Sequence, residues 1–349
     1  MGTPKIFLKG LGVHIPEKVT VESAVEQGLL SREEAEAHGM TAAAVAGDVP
    51  APEMALSAAQ EAFKRSGHSP TDLDLLLYTY TWPQGPQDWL PCSLLQEDLV
   101  GGEVEAMEVR QGCSGLFASL SLASAYLVAD PKRKAALLVG ADNYGTPLID
   151  RWRGGPFVLG DAAAALLVTK EPGFAEVLSV RSTTVPEGKD HLAQGIFPPP
   201  MTVGKPLETN ARRQKLVSPE QQAQMAARIL EMQAAVKRLV DGTLEEAGIA
   251  ASDVAHLAVV NSAGHIVKAH GMAIMGVDNF TTSLEYGRTI GHCGTTDQFL
   301  SLEHLLNSGE LGPSDHFCML GVGPGMVLSC AVIKIVETPQ WVASGASAS

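Results

Sequence analysis

The stretch Val109-Arg110-Gln111-Gly112-Cys113-Ser114-Gly115-Leu116 decides the fold, because it passes directly from a strand pattern to a helix pattern. Residues 104–109 alternate apolar and polar side chains, the two-residue period of a half-buried strand, whereas residues 116–129 are mostly Leu, Ala and Ser and predict a buried helix. A thiol at such a junction faces the partial positive charge of a helix N-terminus, which favours the thiolate. Cys113 is therefore a candidate covalent nucleophile; the alternative interpretation is a structural cysteine buried in the core.

Length and composition exclude several classes of protein. The 349 residues are 45% hydrophobic and 18% charged, which suffices for two domains or one large duplicated one. The net charge of −14 argues against nucleic acid as a partner, because a phosphate backbone requires a basic face. Five cysteines without a C-x-x-C pair favour a reducing compartment. Because the N-terminus lacks the apolar core of a signal peptide and no stretch reaches bilayer length, we predict a cytoplasmic protein without a membrane partner.

Two parts of the chain repeat one order of elements. In each part a predicted helix is followed by three predicted strands. In the first part the helix spans 51–67 and the strands span 75–80, 135–140 and 162–168. In the second part the helix spans 234–248 and the strands span 256–260, 316–320 and 326–336. Continuous apolar strands that alternate with long helices indicate an α/β sheet covered on both faces. We predict a duplicated α/β fold, with residues 1–178 as the half that carries Cys113 and residues 179–349 as the other half.

A long segment between the halves, residues 184–218, is rich in proline, charge and turn residues. Segments of this length without periodicity are usually functional loops or lids. Arg212 and Arg213 lie in it and are candidates to contact a phosphate-bearing acyl carrier such as coenzyme A. The alternative interpretation is a solvated surface loop.

The order and spacing of several motifs resemble the ketoacyl synthase III branch of the thiolase superfamily over almost the whole chain. These motifs are Gly10–Pro16, Gln111–Gly115, Asp150-Arg151, Gly160–Ala165 and Gly321–Gly325. The resemblance implies a duplicated thiolase-like fold of five layers, αβαβα, and usually a homodimer. It also implies that Cys113 accepts an acyl group from coenzyme A, which is a substrate and not a permanently bound cofactor.

Two departures from the family pattern concern decarboxylation. Members that condense malonyl thioesters carry a His-Gln-Ala-Asn motif where this chain has Asn261-Ser262-Ala263-Gly264, and a Gly-Asn-Thr-Ser motif where it has Cys293-Gly294-Thr295-Thr296. The histidine and asparagine of those motifs bind the malonyl thioester oxygen and promote loss of carbon dioxide. Their absence argues against the standard decarboxylative reaction.

A different histidine lies close to the position of the missing asparagine. His292 is in a glycine-flanked loop, and Asp297 follows in the first turn of a predicted helix that extends to about Leu306. A histidine beside Cys113 would deprotonate an incoming hydroxyl, and a carboxylate behind it would hold the correct tautomer. We predict the triad Cys113, His292 and Asp297; the alternatives are a polar loop histidine and a carboxylate that stabilises a helix start.

This replacement resembles a side branch of acyltransferases and starter-unit enzymes of aromatic polyketide and glycoside antibiotic pathways, in particular the cervimycin-type malonyltransferases. The resemblance implies transfer of an acyl group, with intact malonyl as the expectation, from malonyl-coenzyme A or a carrier protein to a sugar hydroxyl. Two other readings stay open. One is a condensing enzyme that forms carbon–carbon bonds, and the other is a silent partner subunit, against which the retained Cys113 argues.

Further residues are candidates for binding. The resemblance implies an oxyanion hole formed by the N–H of Cys113 and one N–H of the C-terminal glycine loop. Because Pro324 has no N–H, either Gly323 or Gly325 donates instead, or the oxyanion hole is weaker. Candidates for acyl, carboxylate or coenzyme A binding are Arg110, Arg151, Trp152, Arg153, Arg212, Arg213 and Arg288, with Trp82 and Trp89 as possible pocket walls. We predict that Asp161 is a structural carboxylate. No third ligand has metal-like spacing to His265 and His270, so we predict no metal site.

Overall fold

A computed structural model describes residues 5–86, 88–145, 149–185, 219–275 and 281–346. The strands in these ranges are β1 Ile6–His14, β2 Lys18–Thr20, β3 Ala42–Ala44, β4 Leu75–Thr79, β5 Glu105–Val109, β6 Ala135–Asp142, β7 Ala162–Thr169, β8 Ala175–Thr184, β9 Val254–Ala258, β10 Thr281–Thr282, β11 His316–Gly323 and β12 Val327–Ile335. The α-helices are α1 Val21–Glu26, α2 Arg32–His38, α3 Ala51–Ser66, α4 Cys92–Leu95, α5 Gly115–Ala129, α6 Pro219–Ala247, α7 Gly264–Met275, α8 Leu284–Gly287, α9 Asp297–Ser308 and α10 Gln340–Ala346.

The sheet repeats its strand order, which is the duplication predicted from the sequence. Its first half runs β5-β4-β6-β7-β1 and its second half runs β10-β9-β11-β12-β8. In both halves the first three strands are parallel and the last two pairings are antiparallel. If only the strands of this ten-stranded sheet are numbered within each half, leaving out the separate pair β2 and β3, both orders read 3-2-4-5-1. Two copies of one topology are therefore joined edge to edge.

The two copies meet where β1 pairs with β8. Only three residue pairs form this antiparallel junction, from Ile6 with Val177 to Leu8 with Ala175. Because β8 begins at Ala175, a boundary after residue 178 would divide this strand. We therefore propose that the junction between the halves lies in the turn over residues 170–174.

Alternating side chains on the strands separate five layers. Leu76 and Tyr78 of β4 face the outer cluster formed with α3, whereas Leu75 and Leu77 face the central cluster. That central cluster contains α5 and α9, and the rings of Phe117 and Phe299 lie 5.9 Å apart between the two copies. A third cluster packs α6 on the outer face of the second copy. The order is helix, sheet, helix, sheet, helix, which confirms the predicted αβαβα class.

Helix α5 lies in the middle layer. It contacts strands of both copies, including β6 and β8. The run Gly112–Ala129 is long and apolar enough to cross a membrane by length and composition alone, yet half of it is buried inside this fold. The buried part of this helix packs between the two copies, whereas Leu122 on its other face is 51% exposed.

Candidate active site

Cys113 lies in a single 3-10 turn, Gly112–Ser114, between β5 and the start of α5. Gly112 has φ 54°, a left-handed conformation that glycine adopts without strain, and this allows the abrupt change of direction. The Leu116 N–H donates to Thr295 Oγ1 over 2.8 Å and ties the start of α5 to the loop that carries His292. Cys113 is half-buried, so the residue stays partly accessible.

The structure brings the three residues of the predicted triad together. The distance from Cys113 Sγ to His292 Nε2 is 3.2 Å, and His292 Nδ1 lies 2.6 Å from Asp297 Oδ2. His292 is 4% exposed and Asp297 is fully buried at the first residue of α9. A carboxylate at Nδ1 selects the tautomer in which Nδ1 carries a proton, so Nε2 faces the sulfur.

The backbone of His292 is clamped by a neighbouring loop. Its N–H donates to the Val158 carbonyl over 2.8 Å, and its carbonyl accepts from the Gly160 N–H over 2.9 Å. A side chain at Gly160 would clash with the Ile290 carbonyl, so only glycine permits this approach. The ring centroid of Phe157 lies 4.8 Å from that of the imidazole, and the two rings are tilted by 58°. The imidazole position is therefore fixed from three directions.

Asp161 anchors that clamp as a structural carboxylate. It forms a bidentate ion pair with Arg151 at 2.9 and 3.0 Å and accepts the backbone N–H groups of Ala46 and Tyr144. Arg151 Nη1 also donates to the Leu159 carbonyl. The guanidinium of Arg151 is thus engaged beneath the loop and does not point to the thiol.

Asn261 stands where the resemblance would place a histidine that this chain lacks. It contacts Asp297 and the loop that carries His292. Its backbone N–H donates to Asp297 Oδ2 over 2.8 Å, and its side-chain amide donates to the Gly291 carbonyl over 2.8 Å. The Cys293 N–H donates to the other oxygen, Asp297 Oδ1, over 2.7 Å. Asp297 therefore accepts three hydrogen bonds, which fix the position of its carboxyl group behind His292.

The charge of Asp297 sets the proton affinity of His292. Burial alone lowers the pKa of His292, but the charges of Asp297 and Cys113 and the hydrogen bonds to both outweigh burial and raise the pKa well above its ordinary value. The imidazole therefore has a high affinity for the thiol proton.

Replacement of Asp297 by asparagine is expected to lower acyl transfer about 10²-fold, because the imidazole loses both its tautomer selection and the raised pKa. The pH at which His292 loses its proton should move down, so the rising limb of the pH–rate profile should shift to lower pH. Steady-state rates between pH 5 and 9 measure both effects. A purely structural role for Asp297 would lower the melting temperature and leave the pH midpoint in place.

A second buried carboxyl, Asp142, lies behind the triad. Its oxygens accept the backbone N–H groups of Thr81 and Trp82, each with a contact of 2.8 Å, and the hydroxyl groups of Tyr144 and Thr81 approach the same point beside Gly294. Burial raises the pKa of Asp142 to about 7, and the hydrogen bonds and the charge of His292 only partly oppose this shift. Near neutral pH this carboxyl is therefore about half protonated.

The raised pKa of Asp142 predicts a pH-dependent stability. The folded protein keeps this proton up to about pH 7, whereas the unfolded chain loses it near 3.8, so this stabilisation is lost as the pH rises through that window. The free energy of unfolding of the wild type, relative to Asp142→Asn, should fall by about 3 kcal/mol from pH 4 to pH 7. Urea unfolding of both proteins at several pH values measures the difference. If the unfolding free energies of the two proteins changed with pH in parallel, the raised pKa of Asp142 would be contradicted.

An apolar cavity of about 280 Å³ opens at the thiol. Cys113 and His292 form one wall of it. The other lining residues are Pro156, Phe157, Met232, Gln233, Val236, Val259, Val260, Ser262, Ile266, Leu320, Val322 and Pro324. Residues of both copies and of α6 therefore enclose the space beside the nucleophile.

The described residues that the sequence suggested for acyl or coenzyme A binding do not line this cavity. The Trp152 side chain is buried in the cluster around α1, and Arg110 lies over the ring of Tyr80 with 5.9 Å between Cζ and the ring centroid. Arg288 donates to the Gly39 carbonyl and to Glu285. Arg212 and Arg213 lie outside the described residues, and so does most of the predicted loop over 184–218. Among the described residues, no group of three His, Cys, Asp or Glu side chains could hold a metal ion. The side chain of His270, one of the two histidines considered for such a site, is not among those described.

The glycine loop adjoins the nucleophile turn. A Cβ on Gly323 would lie 3.0 Å from the Gln111 carbonyl and 3.3 Å from the Ser114 nitrogen, and the Pro324 ring packs on Gly112. Gly325 has φ 79° in the turn that leads into β12. The loop therefore lies beside the site where an oxyanion would form, and the donor roles of Cys113, Gly323 and Gly325 remain predictions.

Sequence reasoning missed Phe157 and the supporting role of Asn261. Both lie where a loop from one copy meets a strand end of the other, and such long-range contacts leave no periodic signal. Phe157 was nevertheless detectable, because it stands three residues before Gly160 in the stretch that leads into β7.

Comparison with known proteins connects this geometry to one family. Models of 3-oxoacyl-[acyl-carrier-protein] synthase III match residues 107–185, and models of its C-terminal part match residues 244–335. A β-ketoacyl-[acyl-carrier-protein] synthase III of Clostridium perfringens is 23% identical over 93% of this chain and 98% of its own length. The solved structure of ChlB3, an acyltransferase, is 47% identical in sequence and has a TM-score of 0.89. The match covers 97% of this chain and 100% of the ChlB3 chain. The 3-oxoacyl-[acyl-carrier-protein] synthase III structure from Aquifex aeolicus is 18% identical, with a TM-score of 0.70, and the match covers 94% of this chain and 99% of that chain. At this identity the similarity concerns the fold alone.

Proposed function

Because the chain belongs to the 3-oxoacyl-[acyl-carrier-protein] synthase III family of the thiolase superfamily, we propose that it is an acyltransferase that forms esters through an acyl-enzyme on Cys113. Enzymes of this family take acyl groups from coenzyme A or a carrier protein, and such a thioester is the proposed donor here. The proposed acceptor is a hydroxyl group of a small molecule, a sugar or polyketide glycoside by resemblance. The observation that carries the proposal is the chain of contacts from Cys113 through His292 to Asp297.

The first half-reaction loads the thiol. His292 Nε2 takes the proton from Cys113, and the thiolate attacks the carbonyl carbon of the donor thioester. The tetrahedral intermediate collapses, the new carbon–sulfur bond to Cys113 remains, and the donor thiol leaves with the proton from His292. Backbone N–H groups at Cys113 and at Gly323 or Gly325 are the proposed donors to the oxyanion, a role worth about 3 kcal/mol per donor in other acyl transfer enzymes.

The second half-reaction uses the same imidazole as a base. Acylation removes the negative charge of the thiolate, which was one cause of the raised pKa of His292. The neutral imidazole then accepts the proton of the acceptor hydroxyl as its oxygen attacks the acyl carbon. Cys113 leaves as a thiolate, recovers the proton, and the ester departs. The carboxylate of Asp297 stabilises the imidazolium in both steps.

The condensing alternative has less support from the same site. Asn261 stands where the family's decarboxylating histidine would be, and both its backbone and its side chain are engaged with the His292 loop and Asp297. The contact of Cys113 with an oriented base likewise argues against a silent partner subunit, because an inert subunit has no need of such a base.

One experiment separates ester formation from condensation. The enzyme is first loaded with a short acyl group and then mixed with malonyl-coenzyme A that carries ¹³C in its carboxyl group. We expect no release of labelled carbon dioxide above the Cys113→Ala control and no 3-oxoacyl product. Stoichiometric release of carbon dioxide together with a 3-oxoacyl thioester would establish the condensing function instead.

A further inference from the structure

The loop that carries His292 lies on a group of buried polar side chains that the proposed mechanism does not use. This group, the Asp142 cluster, consists of Asp142, Tyr144 and Thr81. Asp142 is fully buried at the end of β6, and Tyr144 is 3% exposed. We propose that Asp142 is a positioning residue of the acyl transfer, a buried acid whose negative charge acts on His292 and strengthens it as a base. This inference rests on the proposed acyl-enzyme and deepens the account of its base.

The cluster meets the His292 loop at Gly294. A Cβ atom added to Gly294 would lie 2.6 Å from the Tyr144 hydroxyl oxygen and 2.9 Å from that of Thr81, and it would also clash with Asp142 Oδ2. Gly294 has φ 65°, a left-handed conformation that favours glycine. The glycine therefore lets the backbone of the loop lie directly on the cluster, two residues from His292.

The loop is anchored on both sides of Gly294. Before it, the Cys293 N–H donates to Asp297 over 2.7 Å. After it, Thr295 Oγ1 accepts the Leu116 N–H over 2.8 Å. The cluster therefore lies against a loop that is already tied to both the carboxylate of the triad and the nucleophile helix, and a charge in the cluster acts on an imidazole that these contacts hold in place.

The two carboxyl oxygens of Asp142 have different surroundings. Oδ1 accepts the N–H groups of Thr81 and Trp82, both over 2.8 Å, whereas Oδ2 faces Gly294 and the two hydroxyl groups of the cluster. The hydroxyl oxygens of Thr81 and Tyr144 have no other hydrogen-bond partner among the described residues. Because hydroxyl hydrogens rotate, either group can donate to an ionised Oδ2 or accept the proton of a neutral one. The cluster is therefore suited to hold Asp142 in both charge states.

The titratable groups around the cluster divide into neutral ones and the triad. Among the described residues, those that interact with Asp142 or Tyr144 are Tyr78 on β4, Cys113 in the nucleophile turn, His292 and Cys293 on the loop, and Asp297 on α9. Burial raises the pKa of Tyr78, Tyr144 and Cys293 well above the ordinary values, so these three stay neutral. Burial also raises the pKa of Asp142 to about 7, and the charge of His292 opposes this shift.

The interaction between Asp142 and His292 is reciprocal. A protonated His292 favours the ionised form of Asp142, so an ionised Asp142 favours the proton on His292 by the same free energy. Below about pH 7 the cluster is neutral, and above it Asp142 adds a negative charge. His292 should therefore hold its proton to a higher pH than it would without Asp142.

An NMR titration of His292 tests this interaction without any substrate. In protein labelled with ¹³C at histidine Cε1, with the His292 signal assigned from His292→Ala, the midpoint should fall by about 0.5 pH unit in Asp142→Asn. Asparagine keeps the shape of the side chain and removes its charge. An equal midpoint in the wild type and in folded Asp142→Asn overturns the inference.

Tyr144→Phe provides a second variant should Asp142→Asn not fold. It removes one donor to the ionised carboxylate, so Asp142 stays neutral to a higher pH. The His292 midpoint should then move in the same direction as in Asp142→Asn, by a smaller amount. A midpoint that rises or stays at the wild-type value in Tyr144→Phe contradicts the proposed action of the cluster.

Asp74 supplies a matched control. It accepts the N–H groups of Lys134 and Ala135, as Asp142 accepts two successive N–H groups, but at the opposite end of the paired strands β4 and β6. Asp74→Asn should leave the His292 midpoint at the wild-type value. A shift as large as that in Asp142→Asn would mean that any lost carboxylate has this effect, and it would overturn the specific role of Asp142.

The rate of ester formation connects the titration to the proposed function. Deacylation of the isolated acyl-enzyme by methanol, followed from pH 5 to 9, should reach half of its maximal rate at a lower pH in Asp142→Asn than in the wild type, because His292 loses its proton earlier. A rate profile that does not move, with an NMR midpoint that does, overturns the role of Asp142 in acyl transfer. Failure of the wild type to form any acyl-enzyme overturns the proposed function, whereas equal NMR midpoints overturn only the role of Asp142.

Discussion

Replacement of Cys113 by alanine should abolish the covalent acyl adduct and lower ester formation by about 10⁶-fold, as loss of the nucleophile does in a comparable triad. The structure gives the reason, because the thiol is the group that His292 Nε2 contacts at 3.2 Å and that opens onto the apolar cavity. Intact mass after incubation with a short acyl-coenzyme A measures the adduct, and product analysis measures the rate.

The control for this prediction is another free cysteine. Cys92 is the buried first residue of α4 and lies outside the triad and the described lining of the cavity. Cys92→Ala should keep the adduct at full stoichiometry. An adduct that survives in Cys113→Ala, or disappears in Cys92→Ala, would place the acyl group on a different residue.

Replacement of His292 by alanine should slow the release of the acyl group to the acceptor by about 10³-fold, because the acceptor hydroxyl loses its base. The acyl-enzyme should then persist, since deacylation depends on that base while Cys113 remains. A quench-flow measurement of adduct decay after addition of an alcohol gives the rate directly. Imidazole in the buffer should restore part of it if the cavity admits the free base.

An exposed histidine provides the comparison for His292. His265 lies at the start of α7 and is exposed, so His265→Ala should release its acyl group at the wild-type rate. Fast decay of the adduct in His292→Ala would remove this residue from the mechanism, whatever the rate in the control.

The fold was predictable because its determinants are local. Apolar strands such as residues 135–142 and the long apolar helix after Cys113 show their burial through composition, and the repeat of one element order indicates duplication. The first strand of each copy, β1 and β8, was less visible. β1 contains Gly10 and Gly12, where added side chains would clash with Ala62 and Ala58 of α3, so the strand lacks a regular apolar pattern.

The site was predictable only in part, because its residues come from distant segments. Cys113 and Asp297 lie at helix starts and His292 lies between glycines, which are local signals. The apolar cavity is assembled from Phe157, Val260, Ile266 and side chains of α6, whose convergence depends on the packing of the two copies. Several arginines were plausible by charge alone, and the ion pairs of Arg151, Arg153 and Arg288 became visible only in three dimensions.

The central claim is that the acyl group passes from sulfur to oxygen with His292 as the base. Its most direct test is a chase of the isolated acyl-enzyme, freed of donor, with methanol and with a methyl glycoside. We predict that the mass of the acyl group leaves Cys113 as the corresponding ester appears in equal amount, at least 100-fold faster than in His292→Ala. Equal rates in the two proteins, or an acyl-enzyme that resists both alcohols but is consumed by malonyl-coenzyme A, would contradict the account.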